Sequence, residues 1–86
     1  MKHVKTSAGF EADVDEKRFN NMELLDAIVE LEKGNTLVLS RLADLVLGDD
    51  KQRLYDAVRD EDGIVPIDLA SAQINEIMLQ VGGKNS

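Results

Sequence analysis

Cysteine is absent from this 86-residue chain, and histidine occurs only once, at His3. Without cysteine there is no disulfide framework, thiolate metal site or cysteine nucleophile. No run of residues approaches the roughly 18 consecutive apolar residues that a membrane helix needs. The basic start, Met1–Lys5, is not followed by the apolar stretch of a signal peptide. We therefore expect a cytoplasmic protein with no membrane partner.

Residues that usually carry catalysis are also missing or poorly placed. His3 falls in the first predicted strand, where fraying would spoil a precise geometry, and no serine has a plausible base beside it in the sequence. The acidic residues fall at turns and on outward helix faces, which are solvated far more often than they are tuned catalytic pairs. Gly82-Gly83 ends a predicted helix and does not open one, so it forms no phosphate-binding loop. The sequence predicts no catalytic residue, no metal and no cofactor, and hence no enzyme.

Composition places the chain among small globular domains. Hydrophobic residues make up 43% of it and charged residues 31%. Its length predicts one domain, residues 1–86, near the lower limit for independent folding. Such a chain buries only roughly 60% of the surface that its unfolded form exposes. We expect a free energy of unfolding of only a few kcal/mol, to which a partner or self-association into a homo-oligomer would contribute a large share.

The net charge is −7, and the acidic excess lies beyond Arg18. Such a surface repels nucleic-acid phosphates, because their binding depends on lysine and arginine displacing counterions. No nucleic-acid partner is therefore expected, and negative charge usually just keeps a small domain in solution. An acidic nucleic-acid mimic, which would bind a basic DNA-binding protein, stays open as an alternative.

The first fourteen residues predict a short β-hairpin. Val4 and Thr6 alternate with polar neighbours, and Phe10, Ala12 and Val14 do the same after a turn at residues 7–9. An isolated hairpin is only marginally stable in water, so its apolar face is expected to pack on helices.

Residues 22–81 predict a bundle of about four short helices. The first runs from Met22 to Lys33, and the second runs from Asn35 or Thr36 to Leu47. A third follows the acidic pair at 49–50, and the last begins with Pro66 in its first turn and ends at Gly82. Residues 82–86 are expected to fray. The predicted fold class is α+β, mainly α.

The spacing of apolar residues predicts which face of each helix is buried. The second helix is apolar almost all round, which favours a central position in the bundle. The residues expected to face the core in the other three helices are Leu24, Leu25, Ile28, Leu31, Leu54, Tyr55, Val58, Ala70, Ile74, Ile77, Met78 and Val81.

The segment Asp60–Val65 resembles the middle of a calcium-binding EF-hand loop. Placing Gly63 at the sixth loop position puts Val58 at the first position and Leu69 at the twelfth. An EF-hand needs an aspartate and a bidentate glutamate at those two positions. The segment is therefore predicted to be a turn between helices, without a tight calcium site.

Six apolar residues are candidates for a partner-binding surface. Methionine and aromatic side chains adapt well to partners. For each residue alone, burial in the core is the competing interpretation. The six candidates are Leu37, Val38, Leu39, Leu47, Tyr55 and Met78.

Five segments follow one another in a characteristic order over almost the whole chain. They are Ala8–Glu11, Met22–Ala27, Leu31–Gly34, Leu45–Asp50 and Asp60–Pro66. The order is similar to that of the short tail assembly chaperones of siphophages and prophages. In that family a strand pair around a glycine precedes an acidic helix, a leucine-rich helix ending in glycine, a short helix and an acidic turn into the last helix.

The resemblance implies a non-catalytic protein of phage tail morphogenesis. Such a chaperone is expected to bind the tape measure protein, and in its longer form tail tube subunits, while the tube polymerises. A generic acidic helical adaptor, or a partner protein of the toxin–antitoxin type, stays open as a further alternative that gene neighbours would distinguish.

Overall fold

In the computed structural model, which describes residues 1–82, a two-stranded hairpin packs on a bundle of α-helices. The architecture is α+β and mainly α, as the sequence predicts. The strands are β1 (Lys2–Lys5) and β2 (Glu11–Val14), and the helices are α1 (Met22–Glu32), α2 (Leu39–Leu47), α3 (Lys51–Val58) and α4 (Ile67–Val81). Single 3₁₀ turns lie at Glu16–Phe19, Thr36–Val38 and Gly48–Asp50.

The hairpin is antiparallel and has the predicted alternation. Val4 pairs with Ala12, and both side chains are buried, whereas His3 pairs with Asp13 on the exposed face. The turn closes through a hydrogen bond of 3.0 Å from the Gly9 N–H to the carbonyl of Thr6. Gly9 has φ +87°, a conformation that glycine adopts without steric cost.

Helix α1 begins and ends at the expected signals. The Asn21 side chain accepts a hydrogen bond from the Glu23 N–H at its start. At its end, Gly34 takes φ +94° and donates its N–H to the carbonyl of Leu31. One expectation for this helix is wrong: Leu25 is exposed, and Ala27 takes its place in the core.

Helix α2 packs on both α1 and α3, which gives it the expected central position. Its predicted first turn is a separate 3₁₀ turn capped by the Asn35 side chain, and Gly48 ends the helix with φ +56°. The apolar character is not buried all round. One face enters the core, through Leu42, Ala43, Val46 and Leu47.

Helix α4 buries the stripe predicted for it. Ala70, Ile74, Ile77 and Val81 are buried, and Met78 packs partly exposed against them. Pro66 lies at the N-cap position, one residue before the helix and not in its first turn. Gly82 is the C-cap, and the rest of the predicted frayed tail, residues 83–86, lies outside the described residues.

Polar side chains of α4 hold the hairpin against the bundle. Gln80 accepts a hydrogen bond from the Lys5 N–H at 3.2 Å and donates one to the Lys5 carbonyl at 2.8 Å. One turn earlier, Glu76 accepts hydrogen bonds from the backbone N–H and the hydroxyl of Ser7. The Gln80 contacts satisfy backbone groups of β1 that would otherwise be unpaired at a sheet edge, and the Glu76 contacts hold the turn that follows the strand.

Helix α3 contributes a second link to the hairpin. Arg53 donates to the carbonyl of Glu11 at 3.1 Å, and its guanidinium lies 5.3 Å from the centre of the Phe10 ring. Arg53 is exposed, yet it joins the helix to the hairpin. Within residues 1–82, no helix has both the length and the apolar character needed to cross a bilayer.

Candidate functional site

An apolar groove runs between the start of α2 and α4, along which it extends from Ile67 to Met78. It consists of two adjoining hollows with volumes of about 260 and 430 Å³, which share Leu39, Ser71 and Ile74. A shallower extension covers the loop that precedes α4. The residues lining the groove are Leu31, Thr36, Leu37, Leu39, Ser40, Leu42, Tyr55, Ile64, Val65, Pro66, Ile67, Asp68, Ala70, Ser71, Ala72, Ile74, Asn75 and Met78.

Local hydrogen bonds fix the two rims of this groove. On one rim, the Asn35 side chain accepts a hydrogen bond from the Leu37 N–H at 3.2 Å, which sets the 3₁₀ turn that presents Leu37. On the other, the Asp60 carboxylate accepts from the Ile64 N–H at 3.0 Å, and the Asp60 N–H donates to the Ile64 carbonyl at 2.8 Å. Both apolar rims are therefore held by asparagine or aspartate side chains in tight turns.

The rims expose large apolar side chains. Leu37 is 89% exposed and Ile67 is 70% exposed, and Ile64 is also exposed. Each such side chain forgoes the roughly 25 cal/mol per Å² that burial of apolar surface would contribute. A contiguous exposed apolar patch is a typical sign of a surface that binds a partner.

The structure separates the six residues predicted for the partner surface. Leu37, Leu39 and Tyr55 line the first hollow, and Leu39 and Met78 line the second. These four are brought together in the groove.

The other two predicted residues lie elsewhere. Val38 packs partly exposed against the core and faces a separate hollow between α1 and α2. Leu47 is only 5% exposed and belongs to the core, so its assignment to the surface is corrected. Its position at the end of α2 turns it inward, where the helix buries one continuous face.

Sequence reasoning missed the loop side of the groove. Ile64, Val65 and Ile67 line it, together with Ser71 and Ile74 of α4. The sequence holds a signal for this side of the groove, because Ile64, Val65 and Ile67 come just after the acidic turn at residues 60–63. Residues that close to a surface turn are hard to bury.

The charge of the groove is negative and localised. Among the lining residues in the described part of the chain, Asp68 alone carries a charge. It lies exposed in the first turn of α4, where a carboxylate suits the positive end of the helix dipole. With a net charge of −7 for the whole chain, the groove is an apolar surface on an acidic body.

The only histidine lies outside the groove, between two carboxylates. His3 Nδ1 is 2.9 Å from Asp13 Oδ1, and His3 Nε2 is 3.0 Å from Glu11 Oε1. Hydrogen bonds with Asp13 and Glu11 raise the pKa of His3 above its ordinary value of 6.5, and the bond with Asp13 has the larger effect. The three side chains are exposed on the outer face of the hairpin, so they form a surface ion-pair cluster.

Ser7 and Glu76 form a second polar contact, between the hairpin turn and α4. The hydroxyl and the backbone N–H of Ser7 both donate hydrogen bonds to Glu76. They lower the pKa of this carboxyl below its ordinary value of 4.5, and the hydroxyl has the larger effect. Gln73 donates to the same carboxylate at 3.2 Å. The role of this cluster is to hold the turn on α4.

The acidic turn after α3 is organised by backbone contacts. Asp60 accepts hydrogen bonds from the N–H groups of Asp62 and Ile64, and Arg59 donates to the carbonyl of Gly63 at 2.9 Å. Within residues 1–82, no group of three or more His, Asp or Glu side chains is placed to hold a metal ion.

Comparison with known proteins gives no relative. No protein-family model matches the chain, and neither a curated protein nor a solved structure matches it.

Proposed function

We propose that this chain acts by non-catalytic binding of another protein, as a tail assembly chaperone of a phage or prophage. Its partners would be the tape measure protein, tail tube subunits, or both. The observation that carries the proposal is the apolar groove, whose rim residues Leu37 and Ile67 are mostly exposed on an acidic body. The resemblance in segment order supplies the specific partners.

These two properties suit a chaperone of tail assembly. A long apolar or amphipathic client aggregates unless its apolar surface is covered, and an exposed groove offers that cover. The cover must also stay in solution, and a net charge of −7 on a small body favours that through mutual repulsion between coated segments. Neither task needs a catalytic group.

The segments that carry the resemblance lie mostly at the ends of helices. Leu31–Gly34 ends α1, Leu45–Asp50 joins α2 to α3, and Asp60–Pro66 joins α3 to α4. They specify where helices stop and turn, and hence which apolar side chains stay outside the core. The last of them builds one rim of the groove.

Co-expression tests the proposal directly. The chain is produced together with the tape measure and tail tube proteins of its own gene cluster, and the products are separated by size-exclusion chromatography with light scattering. We expect the tape measure protein to be insoluble alone and to co-elute with many copies of this chain. If neither protein co-elutes and the chain runs alone, the chaperone assignment is wrong.

A further inference from the structure

The two hollows of the apolar groove are neighbours, since Leu39, Ser71 and Ile74 line both. A partner with two apolar side chains close together can therefore fill both hollows. An α-helix provides such pairs, because residues three or four apart lie on one face with their Cβ atoms about 5–6 Å apart.

The walls of the groove also favour a helix over a strand. Its lining residues come from helices and turns, and none of those described belongs to β1 or β2. An extended partner would find no strand edge with which to pair its backbone groups. A helix pairs its own N–H and C=O groups internally and can lie on an apolar surface without that cost.

Charge selects between the partners that would fit. Asp68 lies within the groove lining, and the acidic residues 60–62 precede the rim residue Ile64. A second copy of this chain would bring another net charge of −7 against this face. A cationic segment gains attraction at the same place, because its charge is opposite to that of Asp68.

We infer that the groove binds an amphipathic α-helical segment of another protein. Two apolar residues, three or four positions apart, fill the two hollows, and a lysine or arginine of the segment pairs with Asp68. The inference rests on the proposed function in that the occupant is a protein. It adds the class of segment, its charge and the place where it binds.

Designed peptides test the inference without knowledge of the natural partner. The full chain, labelled with ¹⁵N, is titrated with an 18-residue amphipathic helix of leucine and lysine, and with the same peptide carrying glutamate for every lysine. The lysine peptide is expected to shift the amide signals of Leu39, Ser71, Ile74 and Met78 and to bind at least about tenfold more tightly than the glutamate peptide. Equal affinities, or shifts confined to Met22, Leu25 and Val29 on α1, would overturn the inference.

Matched variants separate local charge from net charge. Asp68→Asn and Asp26→Asn each remove one negative charge from an exposed helix position, but only Asp68 lines the groove. Asp68→Asn is expected to weaken binding of the lysine peptide by about twofold to fivefold, as for an exposed ion pair. If Asp26→Asn weakens it equally, the attraction is nonspecific and no pairing with Asp68 takes place.

Matched apolar variants test the groove itself. The double variant Leu37→Ser and Ile67→Ser changes rim side chains, and the control Met22→Ser and Leu79→Ser changes side chains 68% and 62% exposed elsewhere. Because all four are exposed, both variants are expected to fold. The rim variant should bind the lysine peptide at least about tenfold more weakly, and the control within about twofold of the unmodified chain. The reverse order would place the site outside the groove.

The same variants distinguish failure of the inference from failure of the proposed function. If the tape measure protein co-elutes with the unmodified chain and with the rim variant but not with the control, the chaperone assignment stands and the groove inference falls. If only the lysine peptide binds, and binds at the groove, the inference stands and the chaperone assignment falls. A dimer of the chain that the rim variant dissociates would make the occupant a second copy and refute the inference.

Discussion

Replacing Thr6 by valine should stabilise the protein. The Thr6 hydroxyl is buried, with the residue only 4% exposed, and its Oγ1 has no hydrogen-bond partner among the described residues. The backbone of Thr6 is already paired, because its N–H donates to the Phe10 carbonyl at 2.9 Å and its carbonyl accepts from Gly9 at 3.0 Å. The substitution therefore leaves the hydrogen bonds of the hairpin turn in place.

The magnitude follows from the cost of an unpaired buried hydroxyl, which is about 1–3 kcal/mol. Valine keeps the β-branched shape that favours a strand and places a methyl group where the hydroxyl was. Packing of the new methyl will not be ideal, so we expect the low end of that range. The free energy of unfolding should rise by about 1 kcal/mol, which corresponds to a rise of roughly 4–8 °C in Tm for a domain of this size.

Urea unfolding, followed by circular dichroism, measures the change. The slope of free energy against urea should stay the same and the midpoint should rise. Thr6→Ser is the control, since it keeps the hydroxyl and loses the methyl group, and should lower the free energy of unfolding by about 1 kcal/mol. If Thr6→Val is less stable than the unmodified chain, the hydroxyl makes a hydrogen bond in the folded protein and does not destabilise it.

Three further predictions concern pH, the hairpin and a turn. Because the folded pKa of His3 is raised, its stabilising contribution is complete below the unfolded value of 6.5 and is lost as pH rises through the folded pKa. The unmodified chain should thus have a higher Tm than the His3→Gln variant, by more at pH 6 than at pH 8.5. A difference in Tm that does not change with pH would contradict this prediction. Gln80→Ala should cost about 1 kcal/mol and speed amide exchange at Lys5, whose N–H it unpairs; unchanged exchange would show that Gln80 does not hold the strand. Gly34→Ala should lower the free energy of unfolding in urea by about 1 kcal/mol. The positive φ alone causes this loss, since a Cβ there meets no atom within 4 Å. An unchanged free energy would mean that the turn changes conformation.

Elements with a local signal could be predicted from the sequence. The hairpin follows from the alternation at residues 4–6 and 10–14 on either side of the turn, and α1 follows from the Asn21 cap and the Gly34 stop. In each case the signal lies within a few residues of the structure that it specifies. The fold class is confirmed for the same reason.

Details that depend on contacts between distant elements could not be predicted this way. Leu25 and Ala27 show this, since helical spacing alone did not tell which of the two faces the core. Leu47 is among the six surface candidates of the sequence, and only the placement of α1 and α3 beside α2 decides that it is covered. Four residues of the groove could be predicted from the sequence, namely Leu37, Leu39, Tyr55 and Met78. The rim at residues 64–67 could not, because its position depends on how the Asp60 turn directs the chain.

The hydrogen bonds between Gln80 and Lys5 join residues 75 positions apart. They can therefore form only late in the synthesis of the chain. The first strand leaves the ribosome long before the helix that seals its edge has been made, and closure of so long a loop is slow compared with local hairpin or helix formation. Helix α4 is also one wall of the groove. A nascent chain therefore lacks one wall of the groove, and the groove is complete only once α4 has been translated and docked.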